Sequence, residues 1–121
     1  MLDKRNFYIN GKWIAPIKSS DFEVINPSNE EPCAIISLGS IADTNSAVKA
    51  AKEAFSSWKQ TTKETKISLI EKLYAIYKSR WDEMAESISM EMGAPIDWAT
   101  TAQTSSGADP VSYTHLRAHE T

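Results

Sequence analysis

The amino-acid sequence predicts an α/β fold in which an N-terminal hairpin and strand region is followed by amphipathic helices. Two observations support this prediction. Before about residue 40, short aromatic and β-branched runs alternate with turn residues, a pattern typical of strands. Beyond that point, apolar residues recur every three or four positions, which is the period of a helix with one buried face. The length of 121 residues suits one domain with one small core.

Three strand regions are predicted in the N-terminal part. Phe7–Ile14 (FYINGKWI) contains Asn10 and Gly11 between two strand-like runs, and Asn-Gly favours a type I′ hairpin turn because both positions need positive φ. Phe22–Pro27 (FEVINP) forms a second strand that stops at proline, whose ring removes a backbone donor. Cys33–Ser40 (CAIISLGS) is a β-branched apolar run ended by a glycine, and it gives the third strand.

Two amphipathic helical segments follow the strands. We predict Asp43 as the N-cap of the first, because a carboxylate there can accept hydrogen bonds from the first free N–H groups. Thr61 and Glu64 have the spacing of a capping box and begin the second. The apolar stripe of the first segment consists of Val48, Ala51, Phe55 and Trp58. That of the second consists of Ile67, Ile70, Tyr74, Tyr77, Trp81, Met84 and Ile88.

The second segment is expected to end near Met92. Gly93 is the preferred residue just after a helix, and Pro95 cannot continue the hydrogen-bond ladder. Periodicity leaves open whether this segment is one helix or breaks into two between Ser79 and Asp82. Asp97–Gly107 could begin another helix, but its TTAQTSSG composition is poor in helix formers.

Composition and charge argue against several classes of protein. Thirteen Lys and Arg against sixteen Asp and Glu give a net charge of −3, with the signs intermixed, so nucleic acid is a poor candidate partner. Cys33 is the single cysteine, which excludes an intrachain disulfide and suits a reducing compartment. No stretch approaches the roughly 20 apolar residues that cross a bilayer, and the N-terminus lacks the apolar core of a signal peptide. The sequence predicts a soluble cytoplasmic protein without a membrane partner.

The usual chemical motifs are missing from the sequence. Cys33 lies between Pro32 and Ala34 with no base or cation beside it, so we interpret it as a small buried residue and not as a nucleophile. The charge pairs Glu83 with Glu86 and Lys49 with Glu53 are expected on solvated helix faces. A phosphate-binding loop needs several glycines within a few residues. The four glycines are instead far apart: Gly11, Gly39, Gly93 and Gly107.

His115 and His119 are the only candidate metal ligands of a conventional kind. Their spacing of four would place both imidazoles on one face of a helix. The pair lacks the glutamate that follows the first histidine in metalloproteases, and Glu120 is the nearest third ligand. A zinc-binding protein is therefore kept as an alternative, but no metal site is predicted.

The order of these pieces resembles the N-terminal segment of the aldehyde dehydrogenase superfamily, without a gap from about Phe7 to Gly107. FYINGKWI resembles the opening hairpin of that family, and FEVINPSNEE resembles its hydrophobic-Asn-Pro strand end. LGSIADTNSAVKAAKEAFSSWK resembles the Ala-rich helix that closes on Phe-x-x-Trp. SMEMGAPI resembles the Glu-x-Gly-x-Pro element, here Glu91, Gly93 and Pro95. The resemblance implies that the chain is an incomplete piece of the family's cofactor-binding domain.

The resemblance also implies an activity for a longer parent protein. Family members oxidise aldehydes to carboxylic acids with NAD or NADP, using a cysteine nucleophile, a glutamate that activates water and an asparagine amide in an oxyanion hole. All three residues and the main cofactor contacts lie downstream of the matched segment. We therefore predict no catalytic, cofactor-binding or metal residue in this chain, no bound cofactor and no activity for it alone. The parent is expected to be a homo-oligomer.

One weaker family feature falls within the matched segment. Some members hold a monovalent cation with main-chain carbonyls before the Asn-Pro pair and an acidic side chain beyond the Gly-x-Pro element. The matching positions here are the carbonyls of Val24 and Ile25 and the side chain of Gln103. Because an amide is neutral, it attracts a cation less strongly than a carboxylate does. No cation site is predicted.

The closing run Pro110–Thr121 (PVSYTHLRAHET) departs abruptly from the family pattern and contains both histidines. It resembles a translated sequencing-library adapter. We therefore expect residues 1–107 to be the truncated N-terminal part of an aldehyde dehydrogenase domain and residues 108–121 to be a non-native tail. The alternative is a genuine short helical interaction module without enzymatic activity.

Overall fold

The structure, a computed structural model, describes residues 1–109, which form two compact units divided after Gln60. The first unit contains five short strands and one helix, and the described part of the second is helical. The predicted α/β class, with strands first and amphipathic helices after them, is confirmed.

The predicted hairpin is present with the predicted turn. Strands β2 (Phe7–Ile9) and β3 (Lys12–Ile14) pair antiparallel, and Asn10 and Gly11 have φ of 53° and 74°. These are the left-handed values that a type I′ turn requires at both central positions. The rings of Tyr8 and Trp13, opposite each other in the register, lie 5.2 Å apart between centroids, so a cross-strand aromatic pair stabilises the hairpin.

A three-stranded sheet has the order β1-β5-β4. Strand β4 (Asp21–Asn26) pairs antiparallel with β5 (Glu31–Ser37), and both were expected, although β5 begins two residues before Cys33 and ends before Leu38. Strand β1 (Leu2–Asp3), which was not predicted, pairs parallel with β5. Two paired residues leave too little pattern for sequence periodicity to detect.

Helix α1 (Ile41–Trp58) shows that the predicted N-cap was wrong. The cap is Ser40, and Asp43 occupies the third helical position of a capping box. The Ser40 hydroxyl oxygen accepts a hydrogen bond from the Asp43 N–H at 3.2 Å, and the Asp43 carboxylate accepts one from the Ser40 N–H at 2.9 Å. Serine and aspartate both cap helices, so the sequence allowed either residue as the N-cap. The two reciprocal hydrogen bonds identify Ser40 as the cap and Asp43 as its partner in the capping box.

Helix α2 (Lys63–Ser79) also begins one residue away from the prediction. The N-cap is Thr62, whose hydroxyl oxygen accepts from the Thr65 N–H at 3.2 Å, so the predicted capping box of Thr61 with Glu64 is not formed. Adjacent threonines offer two caps of equal chemistry, and the sequence does not distinguish them.

The structure resolves the open question about the second segment in favour of two helices. Arg80, with φ −113° and ψ 24°, separates α2 from α3 (Trp81–Met92). Gly93 follows α3 in the left-handed conformation, with φ 69°, and its N–H donates to the Ser89 carbonyl. The predicted stop at Gly93 is therefore confirmed, for the reason that favours glycine there.

The segment Asp97–Gly107, which the sequence left open as the start of another helix, is helical. A short α-helical turn, α4 (Ile96–Trp98), leads into a π-helical turn at Ala99–Gln103, and residues 104–109 are again α-helical. The hydroxyls of Thr100 and Thr101 donate to carbonyls four residues earlier, at 2.8 and 2.7 Å. Threonine hydroxyls can compete with the backbone for hydrogen bonds and so disfavour a helix. Here they bond to carbonyls of the same helix and are compatible with it.

The buried apolar side chains among residues 1–109 are small. They are the alanines Ala34, Ala85, Ala99 and Ala108. Large apolar residues on α1 remain exposed instead, including Val48 at 52% and Phe55 at 60%. A stable core normally buries large aliphatic and aromatic side chains, so these described residues carry apolar surface that has no cover within their own unit.

We expect the isolated 121-residue chain to self-associate and to bind a hydrophobic dye such as ANS, because the apolar face of α1 is exposed. Sedimentation velocity over a range of concentrations measures the association. Phe55→Glu should reduce both signals, whereas Ser56→Glu, which adds the same charge at the next exposed position, should not. Equal behaviour of the two variants would show that this face does not drive association.

Candidate functional site

The most organised polar group in the first unit is the carboxylate of Asp43, which is 4% exposed. One oxygen accepts from the Ile17 N–H at 2.8 Å, and the other accepts from the Ser40 N–H at 2.9 Å and the Ser40 hydroxyl at 2.6 Å. The bond from Ile17, followed by those from Ser40, lowers the pKa of Asp43 below 3.8. Because all these donors lie within its own unit, the group ties the loop at Ile17 to the start of α1 and has a structural role.

Asp43→Asn should change the pH dependence of stability. Since the folded pKa of Asp43 lies below the unfolded value of 3.8, its contribution is present above 3.8 and is lost as the pH falls through the lower folded value. The free energy of unfolding of the wild type should therefore exceed that of the variant by the largest amount near pH 7. This difference in free energy should shrink as the pH falls into the acid range. Urea unfolding followed by circular dichroism at several pH values, below the onset of association, measures this. Asp97→Asn, at an exposed position, is the control, and a gap independent of pH would contradict the assignment.

A solvent-open depression of about 840 Å³ lies beside a surface ion cluster in the first unit. Arg5 bridges Asp3 and Asp21, with nitrogen-to-oxygen distances of 2.7 and 3.1 Å. The hydrogen bond from Arg5 lowers the pKa of Asp3, and the bond from the Ser19 hydroxyl, ahead of that from Arg5, lowers the pKa of Asp21. The guanidinium is already paired with two carboxylates, so the depression offers no unpaired charge from Arg5 to an anionic ligand.

The structure gives Cys33 a structural position. In the ladder Val24 pairs with Ala34 and Ile25 with Pro32, so Cys33 is the extra residue of a β-bulge. Its thiol lies 3.2 Å from the Val24 carbonyl oxygen, to which it donates. The side chain is half-buried, which is less than the burial predicted from its neighbours. Nothing in these contacts supplies the cation or base that would activate a thiolate.

The polar groups of Asn26 also have a structural role. Its amide oxygen accepts from the Ser28 N–H at 2.9 Å, and its carbonyl accepts from the Glu30 N–H at 2.8 Å. These bonds form the turn that connects β4 to β5, in which Glu30 has φ of 60°. The Asn-Pro pair therefore shapes a turn, as its role at a strand end suggests.

The starts of the helices do not fit the phosphates of a dinucleotide cofactor. Helix N-termini bind phosphate through free N–H groups and a favourable dipole. Here the first turn of α1 contains Asp43, that of α2 contains Glu64, and that of α3 contains Asp82 and Glu83. At the start of α1 the Asp43 carboxylate accepts the Ser40 N–H, and the acidic residues in the first turns of α2 and α3 disfavour an anion there.

The positions that the family resemblance pointed to for a cation are found in different units. The Val24 carbonyl accepts the Cys33 thiol in the first unit. Gln103 ends the π-helical turn in the second, and its amide oxygen is buried without a hydrogen-bond partner among the described residues. Within residues 1–109, no group of three His, Cys, Asp or Glu side chains is arranged to hold a metal ion. His115 and His119 lie outside the described residues.

The charge pairs considered in the sequence are exposed. Lys49 and Glu53 approach to 4.0 Å on α1, where both side chains are solvated. Glu83 interacts with Arg80 at 2.7 Å, and that hydrogen bond lowers the pKa of Glu83. Exposed pairs of this kind contribute little. Across residues 1–109, no helix is both long and apolar enough to cross a membrane.

The described residues define an α/β chain in which strands precede helices, and comparison with known proteins identifies its family. The sequence profile of the aldehyde dehydrogenase family matches residues 13–120. The chain belongs to this family, and the resemblance seen in the sequence is confirmed.

Individual relatives agree with this assignment. A 3-succinoylsemialdehyde-pyridine dehydrogenase from a Pseudomonas species is 42% identical over 96 residues, covering 79% of this chain and 20% of the relative. A crystal structure of an aldehyde dehydrogenase from Bartonella henselae is 48% identical with a TM-score of 0.98, covering all of this chain and 25% of that one. A Pseudomonas syringae aldehyde dehydrogenase C mutant, solved with NAD+ and octanal, is 36% identical with a TM-score of 0.93, covering 95% and 24%.

This chain thus spans about a fifth to a quarter of the length of the relatives it matches. The profile match extends to residue 120. The segment 110–121 lies outside the described residues.

Proposed function

We propose that this chain is the N-terminal part of an NAD(P)-dependent aldehyde dehydrogenase that oxidises aldehydes to carboxylic acids. The observation that carries the proposal is the agreement of fold and sequence with the Bartonella henselae aldehyde dehydrogenase over a quarter of that protein. At 48% identity, this likeness extends beyond the fold to the family of reactions. Further support comes from the family profile, which matches most of the chain.

The segment contributes scaffold to the parent enzyme. Its most organised polar groups, Asp43 and Asn26, hold a helix start and a turn, and Cys33 belongs to a β-bulge. We propose that the reactive cysteine, the glutamate and the oxyanion-hole amide come from the remaining part of the parent. The chain alone then lacks catalytic, cofactor-binding and metal-binding residues.

The parent takes NAD or NADP as the hydride acceptor. Support comes from the relative from Pseudomonas syringae, which was solved with NAD+. We propose that the residues that choose between the two cofactors lie in the remaining part of the parent.

The parent's partners and location follow from the same proposal. Its substrate is an aldehyde, and it works as a homo-oligomer in the cytoplasm, without nucleic acid or membrane as a partner. A net charge of −3 and a single cysteine support this environment. We further propose that residues 1–107 belong to the enzyme and that residues 108–121 are a non-native tail.

The test is the activity of the gene product expressed from the complete reading frame. NADH or NADPH formation at 340 nm is followed with a panel of aliphatic, aromatic and semialdehyde substrates and with each cofactor. Aldehyde-dependent reduction of either cofactor supports the proposal. A pure, folded product that reduces neither cofactor with any aldehyde of the panel contradicts it.

A non-enzymatic helical interaction module is the second candidate, because the apolar face of α1 is exposed at Val48 and Phe55. Such a module should melt in one cooperative transition and form an oligomer of fixed size. The enzyme fragment should instead associate without a fixed size. Sedimentation velocity and a thermal melt of the same sample separate the two candidates.

A further inference from the structure

The π-helical turn at Ala99–Gln103 has a specific change of hydrogen-bond partner. The Thr104 N–H donates to the Ala99 carbonyl, five residues earlier, and the Thr104 hydroxyl donates to the same oxygen at 2.8 Å. Both residues are fully buried. In an α-helix the Thr104 N–H would bond to the Thr100 carbonyl instead. The Thr104 N–H has therefore moved from the Thr100 carbonyl to the Ala99 carbonyl.

The Thr100 carbonyl has another donor, the indole of Trp81. The Trp81 Nε1 atom lies 2.9 Å from the Thr100 oxygen, and the side chain reaches it from the first residue of α3. A half-buried indole N–H requires an acceptor, because leaving it unpaired costs free energy. The Trp81 indole thus donates to the carbonyl that the Thr104 N–H would use in an α-helix.

Tyr77 adds a second contact to the same turn. Its hydroxyl donates to the Thr104 carbonyl at 2.9 Å, and its ring meets the Trp81 ring edge-on, at 5.9 Å between centroids and 85° between planes. Each aromatic ring therefore helps to orient the other. Together they place two side-chain donors on the carbonyls of Thr100 and Thr104.

We propose that Trp81 and Tyr77 form a lock that holds residues 99–103 in the π register and thereby positions Gln103. Successive residues of a helix are about 100° apart, so the register decides which way the side chain of Gln103 points. In the locked register its amide oxygen is buried without a hydrogen-bond partner among residues 1–109. The residues of the lock all belong to the second unit, and none of the contacts that define it depends on the proposed enzymatic function.

The direct test identifies the acceptor of the Thr104 amide. Couplings across hydrogen bonds, measured by NMR on the isotope-labelled 121-residue chain, connect an amide nitrogen to its acceptor carbonyl carbon. In the wild type, Thr104 should correlate with Ala99. In the double variant Trp81→Phe with Tyr77→Phe, it should correlate with Thr100. Tyr74→Phe removes a hydroxyl from the same helix and should keep the Ala99 correlation.

Three results would overturn the lock. They are retention of the Ala99 correlation in the double variant, a wild-type correlation with Thr100, and exchange of the wild-type Thr104 amide with solvent as fast as in an unfolded chain. Each would show that the aromatic donors do not select the register in this chain.

A second test uses stability at low concentration. Deleting the exposed Thr101 makes Ala99 the residue four positions before Thr104, so the Thr104 N–H keeps its acceptor in an α register. The next amide, that of Ser105, is then brought to the Thr100 carbonyl, which the Trp81 indole holds in the wild type. In the wild type the deletion also displaces the indole N–H from its acceptor, so it should raise the unfolding equilibrium constant about fivefold, the typical effect of one lost hydrogen bond. In the Trp81→Phe background its effect should be clearly smaller. Equal effects in both backgrounds would overturn the claim that the Trp81 indole keeps backbone donors away from the Thr100 carbonyl.

Discussion

The purified 121-residue chain, mixed with an aldehyde and NAD or NADP, should produce no NADH or NADPH. The proposed function places the reactive cysteine, glutamate and asparagine in the remaining part of the parent. Enzymes typically accelerate reactions by at least about a millionfold, so loss of the whole reactive centre should leave a rate equal to that of a blank without protein. Absorbance at 340 nm measures the result, and the product of the complete reading frame is the positive control.

The Cys33→Ser variant of the chain makes this assay more specific. Cys33 is the only thiol in the sequence and the only residue here that could imitate the family's nucleophile. If the chain reduces the cofactor and Cys33→Ser abolishes the signal, the bulge cysteine has a chemical role and the scaffold interpretation is wrong. If both proteins match the blank, the scaffold interpretation stands.

Gly107→Ala is expected to destabilise the helical unit by about 1–2 kcal/mol, the lower range for inserting a methyl group into a packed site. A Cβ at this position would lie 2.5 Å from the Tyr77 hydroxyl oxygen, which is held in place by its bond to Thr104 and by Trp81. The ring must move and its hydrogen bond to Thr104 must break. Urea unfolding followed by tryptophan fluorescence measures the change.

Tyr77→Phe provides the matched background for this substitution. Without the hydroxyl, the nearest ring atom to the new Cβ would be 3.2 Å away, so most of the conflict disappears. Gly107→Ala should then be nearly neutral or slightly stabilising, because alanine is favoured over glycine in a helix by about 1 kcal/mol. An equal cost in both backgrounds would contradict the packing described for Tyr77 and Gly107.

Strands β2 to β5 and the main helices were predictable because their signals are local. Asn10 and Gly11 fix a turn by backbone conformation, and Gly93 ends α3 for the same reason. The exact helix starts were less predictable. Ser40 and Asp43, like Thr61 and Thr62, are all residue types that cap helices, and only the three-dimensional hydrogen bonds select among them.

The π-helical turn could not be predicted from the sequence. The segment Asp97–Gly107 is poor in helix formers, and what holds it is the contact with Tyr77 and Trp81 from earlier in the chain. Propensity is a weak guide where such tertiary contacts decide. The sequence predicted a strand at Cys33 but not that Cys33 is the extra residue of a β-bulge. A bulge depends on how the partner strand pairs, which the sequence of one strand does not show.

The sequence indicated the family of the protein but did not indicate a catalytic site in this chain. Local chemistry in the sequence indicated only that no common catalytic motif was present, and the contacts of Asp43, Asn26 and Cys33 give each of them a structural role. The proposed reaction came from the order of family-like pieces along the chain. Physical reasoning on these residues alone would not have reached it, because the reacting groups are expected elsewhere in the parent.

The most direct test of the central claim is a single long sequencing read of the source locus across the codon for Gly107. We predict that the reading frame continues into family-like sequence long enough to supply the remaining three-quarters of an aldehyde dehydrogenase, including a downstream cysteine and glutamate. A genomic stop codon directly after the codon for Thr121 would contradict it, and the helical interaction module would then become the function to test.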